Sequence, residues 1–311
     1  MEDCSYEFEL ESRGPEGSKV YSFISADGVI PKKDFRDSEL LIGDEVRPEK
    51  DDDVLVVQSG YGFLGVNVGD KVDNGRVLAA DTSDRAKQLT GLNLGRNSID
   101  TAEAFKTSFY SDLDRSFDKI VYAPKSYEPV DLVKNRIRNI IDLLKDRGEL
   151  FVAGSKTDGI NRYKNYMKKG SGNLEKVTQK GSQRLYRYTH SGDQLPEKPD
   201  IEHSFEANID EVNLKFKTCE GLFSFKSLDK GTEILLENLD IPEESKALDL
   251  GCGYGAIGIF LSKKLDCSVH LTDDNALATY YAEQNLELNN VEDYEINNRD
   301  CLDGFKDRSL M

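Results

Sequence analysis

Two stretches of this chain repeat one another at a distance of 193 residues, and few folds satisfy such a constraint. Residues 54–65 read VLVVQSGYGFLG, and residues 247–258 read ALDLGCGYGAIG. In each, a short apolar run enters a glycine-rich turn and continues into an apolar stretch of helical spacing. The likeness extends downstream, where residues 77–97 align with 269–289 at a shift of 192. That alignment sets Asp81 opposite Asp273, Ala86 opposite Ala278, Asn93 opposite Asn285 and Asn97 opposite Asn289. Each copy therefore predicts strand, glycine turn, helix, strand, acid and helix, an α/β fold with a parallel sheet. Two unrelated glycine loops would not keep both the loop and the acid-bearing segment in the same order.

The first copy continues as a full domain. Residues 118–123 (DKIVYA) and 149–154 (ELFVAG) read as buried strands. Between them, residues 131–145 carry Val133, Ile137, Ile140, Ile141 and Leu144 at helical spacing. Alternating residues such as KVYSFIS add short strands within 1–50. The expected organisation is a first domain over residues 1–190, a polar linker over 191–200 with two prolines, and a second domain over 201–311. Carrying the shift forward sets Asp118 on Met311, so the second copy ends where its fourth strand should begin. The expectation is a fragment or a truncated gene product with an open sheet edge and poor solubility.

Composition excludes several classes. With 38% hydrophobic and 32% charged residues the chain is globular rather than disordered. Its apolar runs are too short to span a membrane, and the acidic N-terminus lacks the basic start of a signal peptide. Cys4, Cys219, Cys252, Cys267 and Cys301 are scattered, as are the three histidines, so neither a disulfide framework nor a metal site is expected. A cytoplasmic, monomeric protein is the reading. The net charge of −17 argues at first against a nucleic-acid partner, although a salty cytoplasm also selects an acidic surface.

The second copy carries the chemistry. Gly251 and Gly253 let the chain turn sharply off the strand and allow close backbone approach to a ligand. The helix near Ala256 then offers free N–H groups. Asp273, at the tip of the next strand, is placed to accept hydrogen bonds from two ribose hydroxyls. Gly251, Gly253 and Ala256 also satisfy a dinucleotide pattern, so NAD competes. Asp249 beside the loop, the extra Gly255 and a further acid at Asp300 oppose a pyrophosphate. An acidic pocket suits a cationic ligand with an adenosine end, and S-adenosylmethionine fits.

LDLGCGYG (248–255), LTDDN (271–275) and RDC (299–301) resemble the first three binding motifs of class I S-adenosylmethionine-dependent methyltransferases. Upstream, GLFSFKSLDKGTEILLENL (221–239) is similar to the segment before that motif in the small-subunit ribosomal RNA guanine-N2 methyltransferases, which carry tandem domains with a degenerate first copy. The resemblance implies two tandem Rossmann-like methyltransferase domains with mainly parallel sheets, the second incomplete. It implies that Asp249 and the loop Gly251, Cys252, Gly253 hold the methionine end. Asp273, with Asp274 beside it, would bind the ribose, Asp300 and Cys301 would lie at the adenine, and Asp229 and Thr232 would line the pocket. Capping roles compete at Asp273, Asp229 and Thr232, and Asp274 or Asn275 could cap the helix in place of Asp273. The family's Asn-Pro-Pro-aromatic reaction motif is expected beyond Met311, so the chain as written would bind cofactor without methylating. Ribosomal RNA or the small ribosomal subunit is the implied partner. Protein-glutamine methylation and a non-catalytic RNA-binding or assembly role are the alternatives.

The first copy has lost these residues: Val56 stands at Asp249, Gln58 at Gly251 and Thr107 at Asp300, with Asp81 alone persisting. A fold without chemistry is expected there. Residues 161–190 nevertheless hold eight basic residues and one acid, among them Lys164, Lys168, Lys169, Lys180, Arg184 and Arg187. Tyr163, Tyr166, Tyr186 and Tyr188 are interleaved, which suggests phosphate contacts and base stacking on an RNA-binding face. A solvated helix and hairpin is the plainer alternative.

Overall fold

The computed structural model describes residues 5–14 and 17–301, which form two compact units meeting at Pro199–Asp200. The first unit opens with an antiparallel hairpin, β1 (Ser5–Gly14) and β2 (Gly17–Ala26). There follow α1 (Asp37–Glu45), β3 (Asp53–Val57), α2 (Phe63–Gly69), β4 (Arg76–Asp81), α3 (Asp84–Arg96) and β5 (Ala102–Lys106). The unit closes with β6 (Phe117–Tyr122), α4 (Val130–Asp142), β7 (Leu144–Gly154), α5 (Ile160–Met167), β8 (Asn173–Lys180) and β9 (Gln183–Thr189). Its seven-stranded sheet runs β5-β4-β3-β6-β7-β9-β8, parallel through β7, with β9 and β8 antiparallel at the far edge.

Helices cover both faces of that sheet, so its central strands are apolar throughout. Val54 and Val56 enter one core with Phe63 of α2 and Leu89 of α3, while Leu55 and Val57 enter the other with Ile137 and Ile140 of α4. The segment that reads as a polar linker belongs to this unit. Ser171 N donates to Gln194 O at 2.8 Å, Tyr166 Oη to Glu197 O at 2.7 Å and Asn135 Nδ2 to Pro199 O at 3.0 Å.

The second unit repeats the pattern with the hairpin β10 (Glu202–Ile209) and β11 (Val212–Cys219), then α6 (Lys230–Glu237), β12 (Lys246–Leu250), α7 (Ala256–Leu265), β13 (Ser268–Asp273), α8 (Ala276–Leu288) and β14 (Tyr294–Asn298). Its parallel sheet runs β12-β13-β14 among the described residues. The first unit's β3 is flanked on both sides, by β4 and β6, whereas the matching β12 pairs with β13 alone among the described residues.

The duplication reaches further upstream than the sequence match, because each hairpin is bound to its unit in the same way. Asn97 exchanges two hydrogen bonds with the backbone of Ser22 at 2.9 and 2.8 Å, and Asn289 does so with Lys215 at 3.0 and 2.8 Å. The aromatic triad Phe8, Phe23 and Tyr61 in the first unit is matched by Phe205, Phe216 and Tyr254 in the second. The strands predicted in residues 1–50 are thus a hairpin outside the main sheet. No described helix is long and apolar enough to cross a membrane, and no group of His, Cys, Asp and Glu among the described residues could hold a metal.

Candidate functional site

Parallel strands of an α/β sheet present their carboxyl ends to a common crevice. In the second unit β12 delivers the glycine loop there and β13 delivers Asp273. Gly251, Gly253 and Gly255 all adopt positive φ, at 76, 55 and 91°. A Cβ on Gly251 or Gly253 would meet nothing within 4 Å, so glycine there serves the left-handed backbone and leaves clearance for a ligand. Gly255 differs, since a Cβ would press on Ala282 and Ile259 at 3.3 Å, and it sets the packing of α7 against α8.

The Asp273 carboxylate bridges the loop to the next helix. Its Oδ2 accepts from Gly253 N at 2.9 Å and its Oδ1 from Asn275 N at 2.8 Å. Each oxygen keeps a lone pair for a ligand. Asn275 supplies the N-cap of α8 by accepting from Leu277 N at 3.0 Å. Asp229 both caps α6, accepting from Thr232 N at 3.0 Å, and stands on the crevice wall.

The crevice has a volume of about 320 Å³, at the lower end of the range for small-molecule sites. Six of the ten residues expected from the sequence line it together: Asp229, Thr232, Gly251, Cys252, Gly253 and Asp273. Asp249, Asp274, Asp300 and Cys301 are not on its wall. Asp300 is buried and Cys301 exposed, both just past β14. Burial raises the Cys252 thiol far above its usual range, with Asp249 and Asp273 adding to the shift, which leaves it a neutral wall group. Leu222 and Phe223 form a further wall, and no motif marks them within the segment 221–239. Phe223 is 74% exposed, an unusual setting for a phenyl ring.

Asp249 sits beneath the loop, 6% exposed, with Oδ2 accepting from Gly258 N at 2.9 Å. Burial pushes its carboxyl up to about 6, against the pull of the Gly258 N–H and with the Asp273 charge adding to the rise. In the unfolded chain it titrates near ~4, so the folded state holds the proton more tightly between about pH 4 and 6. Stability therefore falls as pH rises through that window, and the penalty is fully present above it. Asp249→Asn keeps an acceptor for Gly258 N and removes the charge. It is expected to flatten this stretch of the pH profile and to stabilise the second unit at pH 7 by roughly 1–3 kcal/mol. Urea denaturation from pH 4 to 8 checks this, and parallel curves for the two proteins would refute it.

The corresponding loop in the first unit is closed over by its own chain, since a Cβ on Gly60, opposite Gly253, would meet Ile30 O at 3.7 Å and Val29 at 3.8 Å. Gln58 occupies the Gly251 position at φ 55° and its Nε2 donates to Glu128 Oε1 at 2.8 Å. Arg136 Nη1 reaches the same oxygen at 2.7 Å and Tyr122 Oη at 2.6 Å, while Tyr110 Oη accepts from Gln58 N at 2.9 Å. Asp81 retains the bonds of Asp273, from Gly60 N at 2.9 Å and Ser83 N at 3.1 Å, but is 3% exposed.

The basic segment 161–190 forms α5 and the β8–β9 hairpin. Tyr163, Tyr166, Tyr186 and Tyr188 are all buried in the core around α4 and α5, so the expectation that they stack on bases fails. Their helical and alternating positions put the rings inside and leave the bases outside. Arg187 is paired with Glu149 at 2.9 Å and with Glu175, and Lys180 lies 3.5 Å from Asp44. Lys168 and Lys169 are exposed without an ion pair among the described residues, and Lys164 is half-buried. Arg184 donates to Asn161 Oδ1 at 2.9 Å and borders an open cleft of about 630 Å³ beside Lys156 and the Ser155 and Thr157 turn.

The family model described as "Methyltransferase small domain" matches residues 21–187 and 213–310, one match per unit and well over half the chain. The chain belongs to the methyltransferase small domain family. Two copies of the family's fold thus lie in tandem, and the first match takes in β2 of the N-terminal hairpin. "Ribosomal RNA small subunit methyltransferase C" of Hahella chejuensis is 31% identical over 206 residues, covering 65% of this chain and 59% of that protein. Its counterpart in Pseudoalteromonas atlantica is 31% identical over 197 residues, covering 62% and 55%. The chain therefore spans little more than half the length of these curated relatives. Among solved structures, the Thermus thermophilus 16S rRNA N2 G1207 methyltransferase (RsmC) in complex with AdoMet and guanosine superposes with a TM-score of 0.78 at 20% identity, over 97% of this chain and 77% of that one. That likeness establishes a shared fold across both units.

Proposed function

We propose that the protein is an S-adenosylmethionine-dependent methyltransferase of the small-subunit ribosomal RNA guanine-N2 type, whose second unit holds the cofactor and whose first unit holds RNA. The observation that carries the reading is the crevice where the left-handed glycine loop and the Asp273 carboxylate meet. The group fits the residues present: clearance over Gly251 and Gly253 admits a ligand against the backbone, and Asp273 retains acceptor capacity for ribose hydroxyls. Asp229 and Asp273 give the wall the negative charge that a sulfonium and an ammonium favour. When bound, the cofactor supplies an electrophilic methyl group. The chain's own part is to orient it and shield it. The proposed methyl acceptor, the exocyclic amino group of a guanine, is the one named for the Thermus thermophilus 16S rRNA N2 G1207 methyltransferase. The cytoplasm is the proposed setting and a monomer the proposed state, in keeping with the free cysteines 219, 252, 267 and 301. Calorimetric titration with S-adenosylmethionine tests the reading, and absence of binding would defeat it.

For RNA, the exposed Lys168 and Lys169 and the cleft-side Arg184 are the proposed phosphate contacts, with Lys164 at their side. Lys180 and Arg187, already paired, contribute less. Reversing Lys168, Lys169 and Arg184 to Glu should weaken binding of a 16S rRNA fragment at least tenfold. It should also lower the salt dependence by about two counterions, at roughly 0.7 per single-strand phosphate contact. Filter binding across a salt series measures both, and an unchanged slope would count against this face.

A further inference from the structure

Asn285 lies in the last turn of α8 with no exposed surface, and its carboxamide joins segments that meet at the crevice. Its Oδ1 accepts from Lys217 N at 2.7 Å, and its Nδ2 donates to Lys217 O and to Tyr254 O, both at 2.9 Å. Lys217 belongs to β11, which runs directly into the wall formed by Leu222 and Phe223. Tyr254 belongs to the glycine loop on the other wall. The loop is gripped from its far side as well, through Gly253 N on Asp273. Asn285 itself does not line the crevice.

We propose that Asn285 is a positioning residue for the cofactor, fixing the distance between the 221–223 wall and the glycine loop so that the crevice is preformed. The inference rests on the cofactor reading above. A buried carboxamide making three hydrogen bonds is costly to disrupt, and few side chains could replace all three. Among the described residues Asn289, one turn later, bonds the hairpin and α8 alone, so it reinforces one wall without touching the loop.

The first unit contains the matching control. Asn93 makes the same three bonds, from Ile24 N at 2.7 Å, to Ile24 O at 2.7 Å and to Tyr61 O at 2.6 Å. There the space over the loop is taken by Val29 and Ile30, which come within 4 Å of where a Cβ on Gly60 would stand. The bracket is thus present twice, and it has a ligand to serve once.

The test is S-adenosylmethionine titration of the full chain and of Asn285→Ala, Asn289→Ala and Asn93→Ala, with amide hydrogen exchange on each. Asn285→Ala should weaken binding at least tenfold and speed exchange in both 221–223 and 251–255. Asn289→Ala should weaken binding severalfold through the wall alone. Asn93→Ala should loosen its own unit and leave affinity within twofold. Wild-type affinity in Asn285→Ala would overturn the proposal, as would an equal loss in Asn93→Ala. If exchange shows Asn285→Ala unfolded, Asn289→Ala decides, and wild-type affinity there overturns it. Absence of binding by the unaltered chain would instead defeat the cofactor reading. Exchange in the two segments would still decide the bracket, with unchanged rates in Asn285→Ala ruling it out.

Discussion

Asp273→Ala should abolish measurable S-adenosylmethionine binding, with an expected loss of at least a hundredfold. Two hydrogen bonds from ribose hydroxyls to a carboxylate contribute roughly 1.5–3 kcal/mol each, and a hundredfold corresponds to about 2.7 kcal/mol. The substitution also frees Gly253 N and Asn275 N, whose bonds hold the loop and the helix start in place. Asp273→Asn, which keeps acceptor capacity without the charge, should fall between the two. Asp81→Ala removes the equivalent carboxylate from the first unit, where it bonds Gly60 N and Ser83 N, and should leave cofactor affinity unchanged. Calorimetry on the three variants separates ligand contact from loop support. Equal affinity in Asp273→Ala and the unaltered chain would remove Asp273 from the site.

The second large effect is one of stability. Arg136→Met should destabilise the first unit by about 3–5 kcal/mol, because it strands the Glu128 carboxylate in the interior. The two side chains are only 8% and 6% exposed and meet at 2.7 Å. Burial pushes the Glu128 carboxyl up, yet Arg136 and, after it, Lys125 together outweigh that and hold the group below its usual value. At roughly 2–4 °C per kcal/mol for a unit of this size, the melting transition should drop by about 10 °C. The double substitution Glu128→Gln with Arg136→Met should recover most of that loss, since exchanging a buried ion pair for neutral groups is often near neutral. Scanning calorimetry checks both, and a single variant that melts with the unaltered protein would show the pair to be dispensable.

The sequence made the crevice of the second unit legible because its constraints are local. A left-handed turn demands glycine, and a strand tip 22 residues after Gly251 demands an acid, so Gly251, Gly253 and Asp273 could be read singly. Nearness in sequence puts Asp249 beside the loop, whereas its carboxylate turns to Gly258 N of α7. The basic neighbours of the tyrosines of α5 and β9 suggest an RNA face, whereas the spacing of the tyrosines places their rings in the core. Asn93 and Asn285 align with no role legible in the sequence, because their hairpin partners lie about 70 residues away. Those hairpins share little sequence, since a strand bound through its backbone leaves side-chain identity free.

The packed interior of the first crevice also divides the molecule by its dependence on metabolite supply. On the proposed cofactor reading, the second unit gains stability by mass action as its ligand accumulates, about 2.7 kcal/mol at a hundred times the dissociation constant. The first unit, with Val29 and Ile30 lying over Gly60 and Gln58 standing where the second unit has Gly251, carries its filling as covalent sequence. When cofactor runs short, proteolysis should begin in the second unit while the first persists as a resistant fragment.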